Sequence, residues 1–333
     1  MSRIAVIGLG QAGCGYDFFG SQPLRSHVGV SRQLGFEVTG LVDPNLYAHE
    51  QLSERFPDLS QVRRYRAIED LEPGHHEVIV LATPPDNRYE QIKQCLDLGP
   101  RVIIIEKPLA LTADDAQEIM SLFSACTTEA RVNFHRRFDP SHVEARKQIT
   151  EDVKRVVMSY GKGLFNYGSH LIDLLIDWFG EVQVVNAIVG FGNETNPSFL
   201  CHTASGVEVF ISGFDGLEYD QFEIDVYMQR KKMEIRAGGC CIRVLHGTPG
   251  KYYPGYTHLG DPSIIRTPGP VAGLPELYEG VSGFLESNKE LGGCKLGAAA
   301  HGIATLEAVA ISRNLNCAVA PAITVDGFRR EHE

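Results

Sequence analysis

A lysine occupies a position suited to chemistry, immediately after a predicted buried strand. The run from Val102 to Ile105 is β-branched and apolar throughout, a pattern typical of a parallel strand that is buried on both faces. Glu106, Lys107 and Pro108 follow at its carboxyl end, where open α/β sheets bind their ligands. An isolated Glu-Lys pair is more often a solvated loop, so the interpretation of Lys107 depends on the residues that accompany it.

A glycine-rich turn follows the first predicted strand. Residues 8–13 read G-L-G-Q-A-G, in which Gly8 permits a tight turn, Gly10 lets the backbone approach a pyrophosphate and Gly13 allows a helix to pack closely on the strand. The motif is weak evidence alone, but a strand precedes it here and a segment that could be helical follows. We therefore expect Gly8, Gly10, Gln11, Ala12 and Gly13 to bind a dinucleotide.

An acidic residue ends the second predicted strand. A carboxylate at Asp43 would accept hydrogen bonds from the adenosine ribose and would repel a 2′-phosphate, which predicts NAD in preference to NADP. The separation from Gly13 exceeds the usual ~20 residues, so we expect an insertion within Tyr16 to His27. Thr83 and Pro84 end another predicted strand and turn the chain across the cofactor face.

A histidine lies on a predicted amphipathic helix in the second half of the chain. Asn166, His170 and Asp173 recur at helical spacing of four and three, beside an apolar stripe of leucines. Histidine titrates near neutral pH and is the usual general acid or base for a hydroxyl proton. A lone histidine on such a helix is more often structural, so this interpretation also depends on its context.

Composition limits the classes of function. The chain has 333 residues, 43% hydrophobic and 22% charged, which suits two globular domains. A net charge of −11 without a basic run argues against nucleic-acid binding. We expect a cytoplasmic protein without a membrane segment, because no signal peptide and no sufficiently long apolar stretch is evident. The cysteines show no C-x-x-C spacing, and no protein-bound metal is expected.

Two regions of different texture divide the chain. From Arg3 to about Val132, β-branched runs alternate with amphipathic stretches, which predicts βαβ units and a parallel sheet. Beyond Asp139 the chain becomes rich in short β segments separated by Gly, Asn and Asp, which favours an antiparallel sheet. We place the domains at residues 1–135 and 136–333. The stretch from Gly247 to Gly273 is a candidate lid or subunit-contact loop.

The strands predicted in the first region are Ile4–Ile7, Glu37–Val42, Val78–Ala82, Val102–Ile105 and Arg131–Asn133. Its helices are predicted at Leu46–Phe56, Arg88–Leu98 and Asp114–Phe123, the last opened by the start signal Thr112-Ala113-Asp114-Asp115.

Together these motifs resemble the Gfo/Idh/MocA oxidoreductases over nearly the whole chain. The resemblance rests on the glycine motif, on Glu106-Lys107-Pro108, on residues 133–140 (NFHRRFDP) and on Gly168-Ser169-His170. It implies an α/β fold with an N-terminal doubly wound Rossmann sheet, followed by an α+β domain with an open-faced, mostly antiparallel sheet. It also implies that Lys107 lies near nicotinamide and substrate, that His170 is an acid or base, and that the protein is a homodimer or homotetramer.

The chain departs from the family pattern at several positions. Asn166 stands where the family usually has aspartate, so an Asp-His proton relay is absent and Lys107 and His170 must manage the proton. Arg88 replaces a common histidine, and the usual glycine-rich loop is shortened to Gly161-Lys162-Gly163. These changes bear mainly on the identity of the substrate.

The sequence therefore predicts an NAD-dependent oxidoreductase that acts on a secondary alcohol or ketone of a sugar, polyol or sugar nucleotide. Lys107, His170 and Asn166 are the expected catalytic residues, and Glu106 joins the cofactor site. Arg136, Arg137, Lys162 and Asn166 are weaker candidates for substrate binding, because each cation is as readily explained as a surface charge. Two alternatives stay open: a catalytically silent NAD-binding sensor, and an enzyme that reduces an imine or enone.

Overall fold

The computed structural model describes residues 1–18, 23–150, 152–250, 253–266 and 273–326. The chain forms two compact units, one of Met1–Phe138 with Gly273–Ala300 and one of Asp139–Ala272 with His301–Glu333. The first break thus lies three residues beyond the boundary placed after residue 135, and the second unit is not one continuous stretch. The sequence pattern does not predict that segment 273–300 belongs to the first unit.

The first unit is built on a parallel sheet of six strands in the order β3-β2-β1-β4-β5-β6, which confirms the predicted doubly wound α/β domain. Its elements, in chain order, are β1 (Arg3–Ile7), α1 (His27–Gln33), β2 (Glu37–Val42), α2 (Leu46–Arg55), β3 (Arg64–Tyr65), β4 (Val78–Leu81), α3 (Arg88–Asp97), β5 (Val102–Ile105), α4 (Ala113–Phe123) and β6 (Glu129–Val132).

Local sequence explains where most of these elements begin. Every residue of β4 and β5 is buried, as expected for central strands with both faces covered. The Thr112 side chain accepts a hydrogen bond from the Asp115 amide and caps α4, so the predicted start signal is confirmed.

The glycine turn does not run straight into a helix. Short turns and a 3-10 helix at Gly15–Asp17 follow Gly13, and α1 begins only at His27. The backbone amides of His27 and Val28 donate to the carbonyls of Ala12 and Gly13, so the chain leaves the motif and returns to it. The expectation of a helix directly after Gly13 is therefore wrong, whereas the expected insertion is present.

The second unit contains a nine-stranded sheet in the order β14-β13-β12-β11-β7-β10-β9-β8, with β15 beside β13. The chain elements are α5 (Pro140–Lys147), β7 (Val153–Tyr160), α6 (Ser169–Phe179), β8 (Val182–Gly192), β9 (Pro197–Thr203), β10 (Glu208–Gly213), β11 (Phe222–Met228), β12 (Lys231–Arg236), β13 (Cys241–Pro249), β14 (Thr257–Leu259) and β15 (Ser263–Arg266). The helices α7 (Leu274–Ser287) and α8 (Leu296–Leu315) follow.

This sheet is mostly antiparallel, as expected, with β7 and β10 paired in parallel. The sequence pattern treated 247–273 as a loop, although β14 and β15 lie within it. Residues 251–252 and 267–272 of that stretch lie outside the described residues. Its role as a lid or subunit contact stays a prediction.

One face of the second sheet is closed and the other is open to solvent. Phe199 and Cys201 point inward and are buried, while Leu200 between them is 42% exposed. Phe210 lies opposite Leu200, and Val157 lies opposite Phe210, so an apolar row crosses the open face. Across the described ranges, none of the helices has the length and apolar character needed to cross a membrane.

The segment 273–300 joins the first unit through α7. Leu277, Tyr278 and Val281 of this helix are fully buried in the same hydrophobic cluster as Val28 and Val30 of α1. Burial of these apolar side chains explains why segment 273–300 packs with the first unit, although it is distant in sequence from the six-stranded parallel sheet.

Candidate functional site

The glycines of the turn have different structural requirements. Gly8 has a φ of +89°, and a Cβ there would lie 2.7 Å from the Ala82 carbonyl oxygen. A Cβ at Gly13 would lie 2.0 Å from the Gly8 carbonyl oxygen, whereas one at Gly10 would meet nothing within 4 Å. The fold therefore requires Gly8 and Gly13, and the exposed backbone at Gly10 is free of such a requirement.

Asp43 is joined directly to this turn. Its Oδ2 accepts a hydrogen bond of 2.8 Å from the Leu9 amide, and its Oδ1 accepts one of 2.8 Å from the Asn45 amide. Each carboxylate oxygen retains a further lone pair, because an ionised carboxylate offers about four acceptor sites. Asp43 thus fixes the turn and still offers acceptors that suit ribose hydroxyls.

A cavity of about 480 Å³ opens over these residues. Gly8, Gly10, Asp43, Thr83 and Pro84, all predicted cofactor residues, line it together. Gln11 is exposed and Ala12 is partly exposed at the start of the insertion. The accessible backbone at Gly10 and the carboxylate at the end of β2 fit a dinucleotide, whose pyrophosphate needs close backbone approach and whose ribose needs acceptors.

Arg88 connects the ends of β4 and β5. Its guanidinium donates to the Thr83 carbonyl at 2.7 Å and to the Glu106 carbonyl at 2.9 Å. Burial lowers the pKa of Arg88 to about 10, although the Glu106 charge opposes that shift. The residue that departs from the family histidine is therefore a buried crosslink that holds the two strand ends beside the cavity.

Glu106 is surrounded by donors. Its Oε1 accepts from Asn133 Nδ2 at 2.6 Å and lies 2.9 Å from His27 Nε2, while Oε2 accepts from the Lys107 amide at 3.2 Å. Burial by itself would raise the pKa of Glu106, but the hydrogen bonds from His27 and Asn133 outweigh it and the pKa is lowered. His27 and Asn133 were not recognised as site residues, because neither lies near Glu106 in sequence.

Lys107 is half-buried, and its peptide bond to Pro108 is cis. Burial lowers the pKa of Lys107, the neighbouring Glu106 carboxylate raises it, and the Arg136 guanidinium lowers it again, with a net lowering. Among the predicted substrate cations of this unit, Arg136 is buried and Arg137 is partly exposed. Lys107 is thus a cation whose proton is less tightly held than that of a surface lysine.

The histidine helix of the second unit begins in an unusual way. A π-helical turn over Leu164–Gly168 precedes α6, so the regular spacing assumed from Asn166 onward does not hold there. Asn166 is exposed and lines a cavity of about 490 Å³, together with Arg313 and Asn314. His170 and Asp173 are buried at 6% and 4% exposure.

Lys162 lies in the short loop before this turn, with a φ of +58°. Its ammonium group pairs with the Asp220 carboxylate and lies 5.4 Å from the centre of the Tyr167 ring. Because its charge already has an acidic partner, Lys162 would have to leave Asp220 before it could bind an anionic group. No cluster of three or more His, Cys, Asp or Glu side chains that could hold a metal ion occurs in the described part of the chain.

The fold and this site define a two-domain protein with a dinucleotide-binding α/β domain. Residues 2–134 match the oxidoreductase family with an NAD-binding Rossmann fold designated GFO_IDH_MocA. Over residues 2–134 this match confirms the resemblance drawn from the sequence motifs.

Two inositol dehydrogenases are similar to part of this chain. Over 162 residues the chain is 25% identical to scyllo-inositol 2-dehydrogenase (NADP(+)) IolW of Bacillus subtilis, covering 42% of this chain and 44% of that protein. Over 148 residues it is 27% identical to the scyllo-inositol 2-dehydrogenase (NAD(+)) of the same organism, covering 44% and 40%. The matched stretch is thus less than half the length of either relative.

A super-repressor mutant of Gal80p from Saccharomyces cerevisiae shares the fold over nearly all of both chains. The TM-score is 0.77, with 16% identity and coverage of 96% of this chain and 97% of that one. At this identity the likeness concerns the fold alone.

Proposed function

We propose that this protein is an NAD-dependent oxidoreductase that transfers hydride between nicotinamide and a secondary alcohol or ketone of a sugar, polyol or sugar nucleotide. The observation that carries the proposal is Lys107, a half-buried cation with a lowered pKa. It follows β5 in the same unit as the cavity lined by Gly8, Gly10 and Asp43. The two inositol dehydrogenases similar to this chain support a polyol as the substrate class.

Oxidation of such an alcohol removes a hydride from carbon and a proton from its hydroxyl group. Gly8 to Gly13 and Asp43 would hold NAD, which would supply the hydride acceptor. We assign His170 as the base that takes the hydroxyl proton and Lys107 as the cation that stabilises the developing alkoxide. The Asn166 amide exchanges no proton and serves to orient the substrate by hydrogen bonds.

The cofactor preference follows from Asp43. The similar inositol dehydrogenases include one named for NADP and one named for NAD, so the family by itself does not decide between them. A carboxylate at the end of β2 repels a 2′-phosphate, and we therefore propose NAD.

We further propose a cytoplasmic homodimer or homotetramer that assembles through the open face of the second sheet. The apolar row of Leu200, Phe210 and Val157 supports this choice, because an exposed apolar strip on a sheet is stabilised when a partner covers it.

The test measures turnover and cofactor binding separately. Purified protein is incubated with NAD and a panel of inositols, sugars and sugar nucleotides while the absorbance of reduced nicotinamide is followed. With the substrate so found, Lys107→Met should lower kcat by about 10²- to 10³-fold with NAD affinity nearly unchanged. The matched control is Lys154→Met, which removes an exposed lysine paired with Asp152.

Unchanged turnover by the Lys107 variant would show that the assigned mechanism is wrong. Silence across the whole panel, with NAD binding intact, would contradict an enzyme and favour the sensor interpretation instead.

A further inference from the structure

The insertion between Gly13 and α1 delivers a histidine to the interior of the first unit. Asp17 is fully buried and accepts hydrogen bonds from the amides of Arg25 and Ser26, which closes the inserted loop. Ser26 then caps α1 by accepting from the Gly29 amide. His27 takes the first helical position after this cap, and its side chain is 1% exposed.

The His27 ring bridges the buried Tyr278 hydroxyl and the partly buried Glu106 carboxylate. Nε2 lies 2.9 Å from Glu106 Oε1 and Nδ1 lies 2.8 Å from the Tyr278 hydroxyl. An ionised carboxylate can only accept, so Nε2 carries the hydrogen in that pair. Burial keeps the pKa of Tyr278 well above its usual value, so its hydroxyl stays protonated. A neutral ring can then donate to Glu106 and accept from Tyr278, which satisfies every polar atom of the chain Tyr278–His27–Glu106.

Glu106 in turn acts on Lys107. The carboxylate raises the pKa of Lys107 against burial and against Arg136, both of which lower it. Arg88 holds the Glu106 carbonyl, and Asn133 shares Oε1 with His27, so the charged and polar groups that face this pair come from several elements. A change in the charge or position of Glu106 must therefore alter how readily Lys107 holds its proton.

We propose that His27 is a positioning residue: through the chain from Tyr278 it fixes the Glu106 carboxylate, which also accepts from the Lys107 amide, beside Lys107. The proposal rests on the proposed function only for its consequence in turnover. The linkage from His27 to Lys107 is a property of the first unit and can be measured without a substrate.

The measurement is competitive acetylation of the whole protein with trace acetic anhydride between pH 6 and pH 11, followed by peptide mass spectrometry. The pH midpoint of Lys107 labelling reports its protonation. Glu106→Gln removes the charge and should move this midpoint down by about one pH unit. His27→Leu should move it in the same direction by less, because Asn133 still donates to Glu106. His27→Gln, which keeps an amide donor, should restore part of the shift.

The double variant His27→Leu/Glu106→Gln separates positioning from a general disturbance of packing. If His27 acts through Glu106, it should show the same midpoint as Glu106→Gln alone. The control is His76→Gln, which removes another buried histidine of the first unit, one that bonds to Thr39. If His27→Leu does not fold, the comparison of Glu106→Gln and His27→Gln with wild type still decides the point.

The proposal would be overturned if the Lys107 midpoint of His27→Leu equalled that of His76→Gln or moved upward. It would also be overturned if His27→Leu lowered the midpoint by as much in the Glu106→Gln background as in wild type. If the Lys107 midpoint shifts as expected but the protein oxidises no substrate of the panel, the role of His27 stands and the proposed function is wrong. If the Lys107 midpoint does not shift but Lys107→Met loses turnover, the proposed function stands and the role of His27 is wrong.

Discussion

His27 Nε2 and Glu106 Oε1 lie 2.9 Å apart although 79 positions separate the two residues in sequence. The contact joins the start of α1 to the end of β5, and so joins the helix that follows the glycine turn to the residue before Lys107. Both side chains are polar and largely buried, so this contact helps to satisfy the hydrogen-bonding groups of each, with Asn133 as a second donor to Glu106.

Two glycines of the turn should behave in opposite ways when replaced by alanine. Gly13→Ala forces a Cβ to 2.0 Å from the Gly8 carbonyl oxygen, and we expect it to lower the free energy of unfolding by about 1–3 kcal/mol. Gly10→Ala meets no protein atom within 4 Å, so it should unfold as wild type but bind NAD weakly. Thermal unfolding and NADH fluorescence titration of both variants test the pair. Equal unfolding temperatures, with equal NAD affinity, would contradict these roles.

The charge of Asp43 should set the cofactor preference. Asp43→Asn keeps the shape and an acceptor for the Leu9 amide but loses the charge, so we expect NAD affinity to fall by about tenfold. NADP affinity should rise, because the repulsion of its 2′-phosphate is removed. Parallel titrations with both cofactors measure the ratio. Asp58→Asn, at an exposed aspartate paired with Arg32, serves as the control and should leave it unchanged.

The stability contributed by Glu106 should depend on pH. Its pKa in the folded chain is lowered, so the ionised carboxylate stabilises the fold above its usual pKa of 4.5 and this contribution is lost as the pH falls through the lowered value. We expect Glu106→Gln to be less stable than wild type by about 1–3 kcal/mol at pH 7. The difference should shrink in acid. Urea unfolding at pH 7 and pH 3.5 measures it, and a difference that grows in acid would contradict the lowered pKa.

The open face of the second sheet should carry the subunit contact. Leu200→Glu places a charge in the apolar row beside Phe210, which a partner sheet could not bury without cost. We expect the variant to run as a monomer in size-exclusion chromatography with light scattering. Leu315→Glu, at a 66% exposed leucine that ends α8, is the matched control. An oligomer that survives Leu200→Glu would place the contact elsewhere.

The sequence was sufficient for features that depend on neighbours along the chain. The β-branched runs Glu37–Val42 and Val102–Ile105 appear as strands with the predicted bounds. The Thr112 cap and the alternation of strands and helices in the first region were also predicted, since capping and hydrophobic periodicity are local properties. Strand alternation was weaker evidence in the second unit, where β14 and β15 lie in a stretch that was predicted to be a loop.

The site divides in the same way. The sequence alone predicted the glycine turn, Asp43 and the Glu106-Lys107 pair as site residues, because a fixed order of residue types after a strand marks each of them. Only the tertiary structure decided what holds Glu106: His27 lies at the start of α1, and Asn133 follows the neighbouring strand β6. Tyr278 contacts His27 because the apolar side chains of α7 pack in the hydrophobic core of the first unit. Contacts of this kind depend on packing between distant segments, and packing is a property of the folded chain as a whole.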